Sequence, residues 1–155
     1  MTKQLINFIV NGIEKEVFIR NADTLLFVLR EKLRLTGTKN GCSNGDCGSC
    51  TILLDGVPIN ACHLLAVEVE GHQITTIEGL DDPTIQQTFA KQWAIQCGYC
   101  TPGFILNAYA LSETFPHAND AQIDEWLDSN ICRCTGYQEI KDSVKAVLSM
   151  KRQVN

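Results

Sequence analysis

Two apolar-rich runs open the chain. In LINFIVNGIEKEVFI they flank Asn11-Gly12, a pair that accepts the positive φ angles of a tight hairpin turn, so the stretch predicts two antiparallel strands. DTLLFVLREKLRL follows with leucines at helical spacing and Asp23 or Thr24 as the N-cap, which predicts a helix. Then come a glycine-rich loop, a short strand in CTILLDG that ends in an Asp-Gly turn, and a last strand in HQITTI. Beyond EGLDDPT the strand signals stop. DDPTIQQTFAKQWAIQ starts with Asp82 as a cap and Pro83 at the first helical position, and TPGFILNAYALSETF repeats the device with Thr101 and Pro102. NDAQIDEWLDSN and YQEIKDSVKAVLSMK complete a set of four short helices, a small bundle in which Trp93 and Trp126 are expected in the core. The pattern predicts an α+β chain with a boundary near residue 78: a domain of strands over 1–78 and a helical domain over 79–155.

Composition narrows the chemistry. With 155 residues and 45% apolar content the chain can bury a core, and a net charge of −5 argues against a nucleic-acid surface. No run approaches eighteen apolar residues, and MTKQLINFIVNG has neither a basic stretch before an apolar core nor an Arg-Arg pair, so the expectation is a cytoplasmic protein with no membrane span.

Eight cysteines are the outlier, and they fall into two sets of four. Cys42, Cys47, Cys50 and Cys62 are separated by four, two and eleven residues; Cys97, Cys100, Cys132 and Cys134 by two, thirty-one and one. A reducing cytoplasm disfavours a disulfide framework, and four thiolates per set satisfy either one zinc ion or one 2Fe–2S cluster. C-x4-C-x2-C followed by a distant cysteine is the spacing of plant-type 2Fe–2S ferredoxins, although the fourth cysteine here lies closer than usual. Gly41, Gly45 and Gly48 around these ligands allow the close approach and positive φ of a loop wrapped on a flat cluster, where zinc needs only a tight turn per pair. Hairpin, helix, cysteine loop and strands are the order of a β-grasp ferredoxin. The second set sits at helix starts and ends, where free N–H groups suit an anionic cluster, and on its own it fits zinc as well.

GCSNGDCGSCTILLDG, TIEGL, QCGYCTPGF and ICRCTGYQEI together resemble the iron–sulfur subunit of the molybdenum hydroxylases, the xanthine oxidase family, over residues 4 to about 148. No ligand position departs from the family pattern, and the linker DDPTIQQTF is shorter than in many members. The resemblance implies a β-grasp domain and a four-helix domain with one 2Fe–2S cluster each. It implies a heteromer with a large molybdopterin-binding subunit and an FAD-binding medium subunit, for which a dimer of heterotrimers is one arrangement. It places the Cys97, Cys100, Cys132, Cys134 cluster nearest molybdopterin, with Gln96 as a pterin contact, and the Cys42, Cys47, Cys50, Cys62 cluster nearer FAD. Electrons from hydroxylation at molybdenum would then leave singly through the two clusters, and the C-terminal cluster, gathered from two turns, is expected to be the more buried.

The remaining residues carry less. His63, His72 and His117 are isolated with no carboxylate partner at catalytic spacing, Gly136-Tyr137 reads as a turn with a packing aromatic, and Arg133 offsets cluster charge or faces solvent. No Ser/His/Asp set, P-loop or dinucleotide fingerprint occurs, so the chain holds a redox relay and no catalytic residue of its own. The expected function is electron transfer within a molybdenum hydroxylase for an N-heterocycle or an aldehyde, with carbon monoxide the alternative substrate class and a diffusible two-cluster ferredoxin the alternative function. Such a carrier would usually be more acidic than −5, because it uses charge to steer weak encounters.

Overall fold

A computed structural model describes residues 3–154, so the outermost residues of the two expected domains, 1–2 and 155, lie outside it. The hairpin forms as its sequence predicts. Strands β1 (Lys3–Val10) and β2 (Ile13–Arg20) pair antiparallel with Val10 opposite Ile13, and Asn11 and Gly12 turn between them at φ +52° and +76°. Both central residues are left-handed, the turn whose twist matches that of the strands. Asn11 also reaches beyond the turn. Its side chain accepts from the Thr76 N–H and donates to Thr76 Oγ1, both at 2.9 Å, and so ties the hairpin to the far end of the domain.

The expected helix after β2 is shorter than its leucine pattern suggests. Helix α1 (Leu25–Phe27) is capped by Thr24, whose Oγ1 accepts the Phe27 N–H at 3.2 Å, and it continues as a wider π-turn over Val28–Lys32. Asp23 is the residue that does not cap. Its carboxylate is taken by the Arg20 side chain at 2.7 Å and by Lys32 at 3.3 Å. Leu25, Leu26, Val28 and Leu29 are buried, so packing decides this short element where propensity alone would prolong it. Strands β3 (Thr51–Leu54), β4 (Val57–Asn60) and β5 (Gln73–Thr75) complete a sheet of order β2-β1-β5-β3-β4, in which only β1 and β5 run parallel. Strand β4, beyond the Asp55-Gly56 turn, is not among the strands that the sequence pattern predicts.

Four helices follow: α2 (Pro83–Lys91), α3 (Thr101–Thr114), α4 (Asp120–Leu127) and α5 (Gln138–Val154). Asp82 caps α2 as expected, accepting from the Thr84 and Ile85 N–H groups. Helix α3 starts differently from its sequence pattern: Cys100 occupies the cap position, and Thr101 is already helical. Helix α3 is apolar nearly all round because it is wrapped nearly all round. It packs on α2, α4 and α5 and, on its remaining side, on β3 and β4. Its buried Phe104, Ile105, Leu106 and Leu111 each contribute roughly 1.5–3 kcal/mol. In α5 the buried positions Ile140, Val144, Val147 and Leu148 follow helical spacing.

Two cores result. One is built on Ile6, Phe8, Ile19, Leu29 and Ile52 beneath the sheet, and the other on Ile85, Phe89, Phe104, Leu111 and Val144 among the helices. Leu53 of β3 belongs to the second core, so the sheet itself forms one wall of the bundle. Of the two tryptophans, Trp126 packs against the helical core, but Trp93 is 82% exposed at φ +60°, in the turn that leaves α2. Helical spacing suggests burial there only because the apolar pattern runs on past the point where α2 ends.

Candidate metal centres

All eight cysteines are free, and each set is arranged as two pairs. In the first set the Cys47 N–H donates to Cys42 Sγ at 3.4 Å, and the Cys62 thiol is close enough to Cys50 to affect its ionisation. In the second, Cys97 Sγ and Cys134 Sγ are 3.5 Å apart, and Cys100 and Cys132 are close enough for each thiol to affect the other's ionisation. Among the described residues no three His, Cys, Asp or Glu side chains converge on one point as a single tetrahedral ion requires. Thiols gathered pair by pair fit a binuclear group, which spreads its four ligands over two metal atoms.

The loop between α1 and β3 is shaped for an anion. Backbone N–H groups of Asn44, Cys47 and Asp46 all turn onto Cys42 Sγ; the Asn44 contact is the largest, and together they bring this thiol down to about 7. Ser43 at φ +59° and Gly45 at φ +86° make that inward turn. Gly41 serves by close approach: a Cβ there would stand 2.7 Å from Cys47 Sγ and 2.6 Å from Ser49 Oγ. Burial pushes the Cys50 thiol up to about 12, so a metal must displace its proton on binding. The Ser49 hydroxyl lies 3.1 Å from Cys47 Sγ.

The second set repeats the chemistry in the two connections that lead into α3 and α5. Cys100 is the cap residue of α3, and burial pushes its thiol up to about 12. Burial also raises Cys132, but the Thr135 hydroxyl at 3.1 Å and the Thr135 N–H at 3.4 Å outweigh it and hold that thiol below the usual range. Tyr137, expected from the sequence to be a packing aromatic, does pack edge-on against Phe104, and its hydroxyl also accepts the Cys132 N–H at 3.1 Å. The expected order of burial is reversed. Cys97 and Cys134 are exposed, Cys100 half-buried and only Cys132 buried, whereas Cys50 and Cys62 are buried and Cys42 and Cys47 half-buried. The second set is collected at the open end of the bundle, where two turns meet, and its outer edge carries exposed Trp93, Ile95 and Tyr99. Gln96 is exposed beside Cys97.

The two sets adjoin. The Ile131 N–H donates to the Cys47 carbonyl at 3.0 Å, so one hydrogen bond and one residue separate Cys47 from Cys132. Tyr99, between Cys97 and Cys100, donates its hydroxyl proton to the Asn40 carbonyl at 2.7 Å. Neither contact is visible in the sequence, although the position of Tyr99 between two ligands is a signal. Arg133 is exposed. Contrary to expectation, His72 has a carboxylate partner, Asp55 Oδ2 at 2.6 Å; the exposed pair joins the start of β5 to the β3–β4 turn.

Two family models match the chain, one described as a 2Fe–2S iron–sulfur cluster binding domain over residues 8–76 and one as a [2Fe-2S] binding domain over residues 76–145. The gamma subunit of caffeine dehydrogenase from a Pseudomonas species is 42% identical, covering 95% of this chain and 92% of the relative. The small FeS subunit of nicotinate dehydrogenase from Eubacterium barkeri is 40% identical over 94% and 95% of the two chains. Among solved structures, a chain of quinoline 2-oxidoreductase from Pseudomonas putida 86 superposes with a TM-score of 0.91 at 38% identity over 97% of each chain. Aldehyde oxidoreductase from Desulfovibrio desulfuricans gives 0.92 at 37% identity; the match covers 97% of this chain and 17% of that longer one. On its fold, its two cysteine-bearing domains and these relatives, the chain belongs to the small 2Fe–2S subunits of the molybdenum hydroxylase family.

Proposed function

We propose that this chain is the electron-transfer subunit of a molybdenum hydroxylase, with one 2Fe–2S cluster held by Cys42, Cys47, Cys50 and Cys62 and a second by Cys97, Cys100, Cys132 and Cys134. A cluster bound at either place supplies reversible one-electron chemistry. The chain's own contribution is to hold the thiolates, to offer N–H and O–H donors to their sulfurs, and to fix the two sets against each other. The observation that carries the reading is the Ile131 N–H bond to the Cys47 carbonyl, which makes the two thiol sets neighbours through a single hydrogen bond. The division into a β-grasp domain over 1–78 and a helical domain over 79–155 belongs to the same reading, supported by the two cores.

Relatives of this chain are subunits or segments of larger enzymes: it spans 12% of an aldehyde oxidase from Mus musculus. The exposed edge of Cys97 and Cys134, with Trp93, Ile95 and Tyr99 around it, is the face we assign to a large molybdopterin-binding subunit, with Gln96 as the contact to the pterin. The Asn40–Asp46 loop is the face for an FAD-binding subunit, in a dimer of heterotrimers. The substrate of the complex is an N-heterocycle, in keeping with relatives named for caffeine, nicotinate and nicotine. The complex works in the cytoplasm; among the described residues no helix is long and apolar enough to cross a membrane. Affinity purification of the tagged chain from its host tests the assignment. It should bring down a large partner that contains molybdenum. Recovery of a lone chain that still carries its iron would favour the diffusible carrier.

A further inference from the structure

Between the two thiol sets lies a buried polar junction that the function described so far does not use. Asn130, two residues before Cys132, is 2% exposed, and Asn107 of α3 is 4% exposed. Asn107 Nδ2 donates to Asn130 Oδ1 at 2.8 Å and to the Trp126 carbonyl at 3.1 Å. Asn130 Nδ2 in turn donates to the Gly48 carbonyl at 2.7 Å, across 82 residues of sequence. Gly48 follows Cys47, and the Cys47 carbonyl accepts from Ile131, so two consecutive carbonyls of the first cysteine loop are held by two consecutive residues of the second. The fit leaves no slack. A Cβ on Gly48 would stand 2.3 Å from Asn130 Nδ2 and 2.3 Å from the Ser129 carbonyl, and one on Gly103 would stand 2.4 Å from the Gly48 carbonyl. Gly48 is thus pinned between Asn130 and the first turn of α3.

We propose that Asn130 is a positioning residue for electron transfer between the clusters: its amide, aimed by Asn107, clamps Gly48 and thereby holds the Ile131–Cys47 hydrogen bond and the spacing of the two thiol sets. The proposal rests on the reading that both sets hold clusters. Two features argue that the clamp serves geometry beyond ordinary burial. An apolar side chain would occupy this space without any polar group to satisfy, whereas the asparagine requires a partner for every polar atom. And its donor is aimed at the carbonyl next in the chain to the one that accepts the Ile131 N–H.

The test uses the assembled enzyme with Asn130→Ala, and with Asn130→Ser, which can still accept from Asn107 but is too short to reach Gly48, should the alanine variant fail to accumulate. Two readouts are taken: residue-resolved amide exchange, and the spin–spin splitting between the two reduced clusters in electron paramagnetic resonance. The expected result is exchange at Ile131 faster by roughly tenfold or more, unchanged exchange in α2, and an altered splitting with both signals present. Unaltered Ile131 exchange and splitting would overturn the proposal, and so would a uniform rise in exchange across the chain, which would mark Asn130 as merely structural. If the unsubstituted enzyme shows no two cluster signals, the cluster reading fails by itself, and the Ile131 exchange still decides whether Asn130 clamps the junction.

Discussion

In the assembled enzyme, Cys47→Ser is expected to remove one of two 2Fe–2S paramagnetic resonance signals and to leave the other nearly intact. The side chain of Cys47 belongs to the first set alone, beside Cys42 and 3.1 Å from Ser49. Its link to the second set runs through its backbone carbonyl, which serine keeps. Cys97, Cys100, Cys132 and Cys134 all lie in the connections that lead into α3 and α5, on a bundle whose core rests on Phe104, Leu111 and Val144 and does not involve Cys47. The variant should therefore lose about two of its iron atoms and one whole signal. Loss of both signals from a folded complex would contradict two separate sets and a division near residue 78.

A second large effect is expected at Gly48. At φ +65° any other residue incurs the left-handed penalty, and here a methyl group would also collide with Asn130 and with the Ser129 carbonyl. Gly56 supplies the comparison, since at φ +86° it has nothing within 4 Å of a Cβ. Gly56→Ala should cost roughly 1 kcal/mol, for the backbone alone. Gly48→Ala should cost roughly 3 kcal/mol, because backbone strain and overpacking add. Urea midpoints followed by bleaching of the visible absorption measure both. Equal losses in the two variants would show that the junction can open around a methyl group.

Much of this structure is legible in the sequence wherever one local signal decides. Asn11-Gly12 dictates its own turn and Asp82-Pro83 its own helix start. The pattern misleads where distant parts of the chain decide. The leucines after Asp23 suggest a long helix, but the sheet accommodates only Leu25–Lys32, and Arg34 then adopts φ +61°. Trp93 continues an apolar pattern past the end of its helix and is left exposed. The second cysteine set is expected to be deep because two remote turns must meet to form it, yet they meet at the rim of the bundle, where two of its four thiols are exposed. Asn107 and Asn130 are ordinary letters in a sequence; only the fold, which brings Asn130 against Gly48, gives them a role.

The central claim is that the eight thiols are two binuclear sites. Its most direct test is metal and acid-labile sulfide analysis of the enzyme purified from its host, referred to the amount of this chain. Two sets of four thiolates predict about four iron and about four sulfide per chain, with no zinc. About two iron with one equivalent of zinc, or iron without matching sulfide, would contradict it.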